Sequence, residues 1–527
     1  PNNPSHFITI VCLLLLLGTS YAIFWCCVVI TMPLFRLFLL CLSLLCVVVS
    51  ASTFYVDCGS LGNDTASGLT PELPWKTISK LSSSSALLLI KPGDTIRLKY
   101  GCFWRETLKP ISGNESAPVT YTVYGDSSLS KPTLMGSLEA NDVSLWKSSG
   151  TNLWTIGQLT PISCASNIIP NPSFSMNLST WSYYTAGSPA ASLSGWVRDT
   201  SDFHTAPASL KFTIVTTGSG SSDLQIIMTP FTLPSSQRRP YYLFQFSAKS
   251  SSNGTIRGLT LHRPGTPYDA FATLSQTTFI LTPKWQTFTV KVIGKMTSEM
   301  KSRITFSLGG GFTAGTVVHF DSFQLIPATG LPLSTDIGLV LFNNQFAGIK
   351  KWTEAELSKQ GHFASNDGIL TMWSVKNPAL FYSDIELAIS AHLVSQGARH
   401  HVIYDGFALT LGGAHGFGGS NVHHVIIRNM DISWIGGARL VGYPTRVRYG
   451  NGIEFWCESH DNLVERNRLW EIYDAALTNQ CTSWETQSNI VYRYNVIWNS
   501  ECIHFFHFIY CFSHSKFLII FTVFRCI

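Results

Sequence analysis

Carboxylates that could act in pairs, with histidine and arginine near them, are concentrated in residues 398–498 of this 527-residue chain. Glu454 paired with Asp474 or Asp405 has the residue types for glycoside hydrolysis. One carboxyl protonates the leaving oxygen while the other attacks or activates water. Elimination at a uronate would instead need a base at the α-proton and a cation on the developing enolate, for which His415 or Arg448 could serve. Asn451, His460, Glu471 and Arg446 complete the polar set. Bland roles compete with these. Asp405 precedes Gly406 and could simply make a turn, Glu465 and Arg466 fit a solvated strand face, and His423 and His424 read as surface residues without an evident metal-ligand spacing.

The elements that must position these residues are repeats. HVIYDGFAL from His401, VIIRNMDI from Val425, NLVERNRL from Asn462 and IVYRYNVI from Ile490 align by their apolar positions. Ile403, Ile426, Leu463 and Val491 then share one column, and Leu409, Ile432, Leu469 and Ile497 another. Short β-branched units of this size cannot bury a face alone and must stack, which predicts a parallel β-helix. A second strand follows at Phe417, Ile453 and Leu477, the middle one after the excursion GGARLVGYPTRVRYGNG, a loop of the kind that often carries binding residues. The columns put His415 level with Asn451 and Ala475, and Glu454 between Gly418 and Thr478. Cys457 falls opposite Cys481 at a rung spacing of about 4.8 Å, which a disulfide accepts. Asn467 and Asn495 fall in one column as an amide ladder.

Charged residues are only 13% of the chain, aromatics 13%, with 40 Gly and 24 Pro, a turn-rich β composition. A net charge of +5 without a basic run excludes nucleic acid as the expected partner. From Met32, MPLFRLFLLCLSLLCVVVSAS has a basic start, an apolar middle and a small-residue end, the layout of a signal peptide spanning 32–51. Residues 1–31 are then an upstream apolar extension, and the expected location is extracellular. The alternative is an uncleaved N-terminal membrane anchor, the only membrane contact expected. Acceptor triplets at Asn63, Asn114, Asn177 and Asn253 agree with secretion. Outside the apolar ends, Cys58, Cys102, Cys164, Cys457 and Cys481 remain. Cys58–Cys102 is a second candidate bridge and Cys164 is read as free.

In chain order, YVD, GL, PWKTI, PGDTI, a Trp, YG and KP between Tyr55 and Pro132 resemble the opening of right-handed parallel β-helix proteins of the pectate-lyase-like superfamily. That resemblance implies a helix within PWKTISKLSSSSALLL capping the first coil. Residues 165–328 change texture to regularly spaced alternating strands, an antiparallel sandwich. NPSFSMNLSTW and VVHFDSFQL resemble the two ends of jelly-roll carbohydrate-binding modules attached to cellulases and xylanases. Some of these hold structural calcium. Here Ser175 replaces the acidic residue, leaving Asp321 as the candidate ligand. Trp181, Tyr183, Tyr184, Trp196 and Tyr268 are candidates for stacking on sugar rings, with core packing as the competing role of these Trp and Tyr residues. Arg446, Arg448 and Trp456 are the substrate-binding candidates of the repeats.

The expected fold is therefore all-β. A right-handed parallel β-helix (52–160 and 333–500) is interrupted by a jelly-roll β-sandwich (165–328), and the apolar tail 502–527 is read as atypical, non-native sequence. The expected function is binding of a polysaccharide by a secreted monomer and cleavage of its glycosidic bonds, by hydrolysis rather than elimination. A non-catalytic glycan-binding or adhesive protein is the alternative.

Overall fold

The repeats stack as three parallel sheets through which the chain passes in turn. His400–Asp405, His423–Arg428, His460–Glu465 and Ser488–Arg493 are successive neighbours in the first sheet. Ala408–Gly412, Asp431–Ile435, Arg468–Ala475 and Val496–Cys502 form the second. Val394–Ser395, Phe417–Ser420, Ile453–Trp456 and Leu477–Gln480 form the third. The computed structural model describes residues 9–12, 27–30, 51–162, 167–232, 240–265, 270, 272–294, 301–333, 335–366, 368–442, 446–481, 487–502, 518–520 and 524–525.

Register follows the sequence columns: Ile403 pairs with Ile426, Ile426 with Leu463 and Leu463 with Val491. That column, however, lies half-buried on the outer face. The core is built from the alternate positions, Val402 and Tyr404, Val425 and Ile427, Val464, and Ile490 and Tyr492, because successive strand side chains point to opposite faces. Asn462 breaks the inner apolar column and is satisfied there. It accepts the Val425 N–H at 3.0 Å and donates to the Val422 carbonyl at 2.8 Å. Asn467 donates through Nδ2 to Asn495 Oδ1 at 3.0 Å, the amide ladder.

Chain on both sides of the sandwich shares these sheets. Thr53–Val56, Thr95–Lys99 and Val119–Tyr124 continue the first sheet, with Val119 opposite Val402. Phe103–Trp104 and Thr133–Met135 continue the second. One apolar core runs through both portions, where the Tyr121 and Tyr404 rings stack at 5.6 Å. The helical stretch contracts to Ser84–Leu89, capped by Ser83 Oγ on the Ala86 N–H. Disulfides join Cys58 to Cys102 and Cys457 to Cys481, with Cα separations of 5.6 and 4.7 Å. Cys164 and most of the tail lie outside the described residues. The tail strands Leu518–Ile520 and Phe524–Arg525 pair in parallel with the first and second sheets and add a rung to each.

The three parallel sheets begin in the C-terminal portion only at Val394. Ahead of it the chain forms an antiparallel sheet, Ile337–Phe342 with Ile385–Ile389 and Ser137–Glu139, and a mixed one, in which His362–Asn366 pairs in parallel with Ile349–Lys350 and antiparallel with Ile369–Trp373, itself antiparallel to Leu153–Ile156. Sequential strands joined by tight turns pair antiparallel, and the short link around Gly368 between His362–Asn366 and Ile369–Trp373 leaves no length for a crossover.

Among the described residues the sandwich has two large antiparallel sheets and a two-stranded one, Gly254–Ile256 with Phe279–Leu281. Ser192–Asp199, Ser209–Thr216, Val317–Gly330, Tyr241–Ser250, Gln286–Gly294 and Ala272–Leu274 lie in that order in one. Trp181–Thr185, Leu224–Met228 and Lys301–Ser307 lead the other. Phe212, Phe244, Phe246, Phe306, Phe320 and Phe323 fill the shared core.

Residues 1–52 form a separate unit in which Thr9–Cys12 and Cys27–Ile30 pair antiparallel. The expected signal segment lies almost wholly outside the described residues. No helix among the described residues is long and apolar enough to cross a membrane.

Candidate functional site

Across the third sheet, Ser395, Gly418 and Glu454 occupy successive rungs, with Thr478 beyond. Beside that column runs another made of His392, His415, Asn451 and Ala475, held by hydrogen bonds between rungs. His415 N–H donates to His392 Nδ1 at 3.3 Å, Asn451 N–H to His415 Nδ1 at 2.9 Å, and Ala475 N–H to Asn451 Oδ1 at 2.9 Å. The two imidazoles stack at 4.9 Å and 9°. Glycine at 418 makes the space, since a Cβ there would stand 3.0 Å from His392 Nδ1 and 3.2 Å from His415 Cδ2. A cavity of about 290 Å³ opens on this surface, lined by His392, Ser395, His415, Ser420, Glu454 and Trp456 among others.

Glu454 is 8% exposed. Its Oε1 lies 3.3 Å from His415 Nε2, and its Oε2 accepts from Asn451 Nδ2 at 2.5 Å. Because His415 Nδ1 already accepts a backbone N–H, the neutral ring carries its proton on Nε2, aimed at Glu454. Burial pushes the Glu454 carboxyl up to about 7; the Asn451 hydrogen bond opposes the rise and the Asp474 charge adds to it. Burial pushes His415 down to about 3, with His392 adding to the effect, so it stays neutral. A carboxyl that titrates near neutrality on a cavity wall can give and take a proton at working pH.

This environment has a thermodynamic signature. A folded-state pKa of about 7 against the ordinary 4.5 means that protonated Glu454 favours the folded state by about 3 kcal/mol. That contribution is complete below pH 4.5 and is lost as pH rises through 7. His415 has the opposite sign, its contribution being present above 6.5 and lost as pH falls through about 3. Glu454→Gln, uncharged throughout, should therefore gain stability relative to the wild type between pH 4.5 and about pH 8, as read by urea unfolding at both values. No relative gain would mean that the Glu454 carboxyl is not held in a buried site.

The structure brings together Glu454, His415, Asn451 and Trp456, with Asp474 within electrostatic reach. It does not bring Asp405 there. Asp405 ends a first-sheet strand, where its Oδ2 accepts from Arg428 Nε at 2.9 Å and its Oδ1 from Asn429 at 2.7 Å, a cross-rung ion pair. Arg448 lines another cavity, and Arg446 shares its Trp352 contact beside it. The Arg448 guanidinium lies 4.2 Å over the Trp352 ring and that of Arg446 5.9 Å from it, while Arg448 donates to the Lys350 carbonyl at 3.0 Å. Their loop is pinched at its base by Gly436 and Gly450, whose φ values of 105° and 140° and backbone approach exclude any Cβ. Tyr449, from the same loop, reaches the site and packs edge-on against His415 at 5.1 Å. Sequence reasoning missed His392, which precedes the first aligned repeat. Its offset to His415, the same as from His400 to His423, was the available signal.

In the sandwich, Trp181 is a core residue, 4% exposed and packed on Phe323 at 4.4 Å, so it has no face for a sugar. Tyr183 and Tyr184 are exposed, and the Tyr183 ring lies 5.1 Å from half-buried Trp196. Tyr268 lies outside the described residues. Asp321 is fully buried and accepts three backbone N–H groups, from His204 and Thr205 on Oδ2 and from Ser322 on Oδ1, at 2.6–2.8 Å. That donor set anchors a loop and does not fit a calcium ligand.

No protein-family model matches the chain. A lacto-N-biosidase of Bifidobacterium longum subsp. longum is 33% identical over 88 residues, 16% of this chain and 5% of the relative's length. A glycoside hydrolase structure aligns over 85% of this chain and 74% of its own at 9% identity and a TM-score of 0.33. The N-terminal cellulose-binding domain of Cellulomonas fimi β-1,4-glucanase C aligns whole, over 32% of this chain, at 17% identity and a TM-score of 0.23. A family 11 carbohydrate-binding module from Clostridium thermocellum also aligns whole, over 32%, at 14% and 0.23. These similarities are all to carbohydrate-active proteins.

Proposed function

We propose that this is a secreted carbohydrate-active protein that binds a glycan and hydrolyses its glycosidic bonds. In this proposal the three parallel sheets are the faces of a right-handed parallel β-helix, and the antiparallel sandwich is an inserted glycan-binding module. The carrying observation is Glu454, a carboxyl buried on the wall of a cavity, held beside neutral His415 and titrating at about 7. It acts as the general acid on the leaving oxygen. Asp474, whose charge Glu454 feels, is the second carboxylate, and Trp456 on the cavity wall offers an aromatic face to the sugar. Tyr183 and Trp196 present an aromatic pair on the sandwich. The local likeness to a lacto-N-biosidase supports a carbohydrate-directed activity, and the two disulfides support an oxidising, extracellular setting.

One observation favours a second role, as a non-catalytic glycan binder: Glu454 is the only acid among the described residues that line this cavity. A panel of polysaccharides and oligosaccharides, assayed separately for new reducing ends and for unsaturated uronates, distinguishes the possibilities. Hydrolysis gives reducing ends without unsaturation, and unsaturation would replace hydrolysis by elimination. Saturable glycan binding with neither product would leave the binder.

A further inference from the structure

Histidines crowd one edge of the first parallel sheet for a reason that lies in the backbone. In a regular strand, neighbouring side chains point to opposite faces. Here His401, His424 and Asp461 have φ of 54°, a left-handed residue one place into each strand, which turns each side chain beside that of the residue before it. Imidazole meets imidazole within each rung, His400 Nδ1 at 2.9 Å from His401 Nδ1 and His423 Nδ1 at 3.0 Å from His424 Nδ1. On the next rung His460 Nδ1 lies 2.8 Å from Asp461 Oδ2.

Parallel register stacks these pairs. His400 lies under His423 at 4.7 Å and His423 under His460 at 4.8 Å, with rings within 11° and 2° of parallel. His401 lies under His424 at 4.5 Å. Two ligand sets result, each with its donor atoms within 4.8 Å of one another: His401, His423 and His424, and His424, His460 and Asp461. Each close nitrogen pair must hold either a proton or a cation between its lone pairs. Donors around a tetrahedral zinc lie about 3.3 Å apart, so small rotations of these accessible rings complete the geometry. Three nitrogen donors, or two with one carboxylate, are the ligand types of a borderline transition cation.

We propose that this histidine ladder is a binding site for one divalent transition cation of the zinc, nickel or copper class, held across adjacent rungs with His424 common to both ligand sets. The site lies on a different sheet from the Glu454 cavity and does not depend on the function proposed for it. A cation there ties one rung to the next, because its ligands come from strands joined otherwise by backbone hydrogen bonds and ring stacking.

The test uses Zn²⁺ alone, titrated calorimetrically into the untagged full chain in a chelator-free buffer, with the melting temperature followed in parallel. One ion per chain should bind saturably and raise the melting temperature. His424→Ala, at a side chain 42% exposed, should weaken binding by at least about tenfold and remove the thermal shift. His401→Ala and His460→Ala, each disabling one set, should cost less than His424→Ala. Co²⁺ in place of Zn²⁺ should develop visible absorption bands that the variant lacks, which reports inner-sphere ligation even if the variant's own stability has changed. Absence of saturable binding below about 1 mM, or equal binding by the wild type and a folded His424→Ala variant, overturns the proposal.

Discussion

Glu454→Gln is expected to lower turnover on the responsive glycan by about 10²–10⁴-fold while leaving the fold intact. The substitution keeps the shape and one of the two acceptor oxygens that His415 and Asn451 contact, and removes the transferable proton. The pH profile should carry the same signature. A general acid must start protonated, so activity should fall as pH rises through about 7, the value to which burial pushes this carboxyl. That basic limb should vanish from the residual activity of the variant, because an amide does not titrate. Asp474→Asn refines the test. Removing a negative charge that helps hold the Glu454 carboxyl up should move the limb to lower pH. If Asp474 is the second carboxylate, turnover falls as well; a moved limb with unchanged turnover would leave Asp474 only an electrostatic role. An unchanged profile in Glu454→Gln would move the chemistry elsewhere in the molecule.

Much of this site was legible in the sequence because parallel rungs turn linear spacing into spatial adjacency. Once Ile403, Ile426, Leu463 and Val491 are aligned, Glu454 must fall between Gly418 and Thr478, and Cys457 must approach Cys481. What spacing could not supply was direction. Aligned apolar residues are not necessarily inward residues: Ile403 lies outside while Tyr404 fills the core, and Asn462 occupies an inner position because its amide answers backbone groups there. Asp405 shares the repeats with Glu454 but belongs to another sheet, so adjacency along one strand column says nothing about adjacency across columns. The histidine ladder was hidden for a related reason. Its ligands sit on different rungs, and the left-handed residues that swing His401 and His424 beside their neighbours leave no trace in residue type. In the sandwich, aromatic spacing could not separate Trp181, walled in by phenylalanines, from Tyr183 two positions later on the surface.

Arg105→Ala is expected to destabilise the protein by about 3–5 kcal/mol, toward the lower figure because the arginine side chain is itself 26% exposed. Its guanidinium forks onto Glu386, with NH1 to Oε2 and NH2 to Oε1 both at 2.6 Å, and also donates to Ser137 Oγ at 2.8 Å. Glu386 is 5% exposed and lies in Ile385–Ile389, which pairs with Ser137–Glu139. The fork therefore fastens chain preceding the sandwich to chain following it, across 281 residues of sequence. Truncation leaves a buried carboxylate whose nearest remaining donor is Ser137 Oγ at 2.7 Å, too little for a charge removed from water. The double variant Arg105→Met/Glu386→Leu removes both charges and should recover most of the loss. Because the sandwich has its own phenylalanine core, denaturant unfolding should show the effect in the transition of the sheets outside the sandwich, with the sandwich transition nearly unmoved. A loss below about 1 kcal/mol in Arg105→Ala would equate the pair with an exposed salt bridge. The two halves of the sheet body would then be held by strand pairing and the shared core alone.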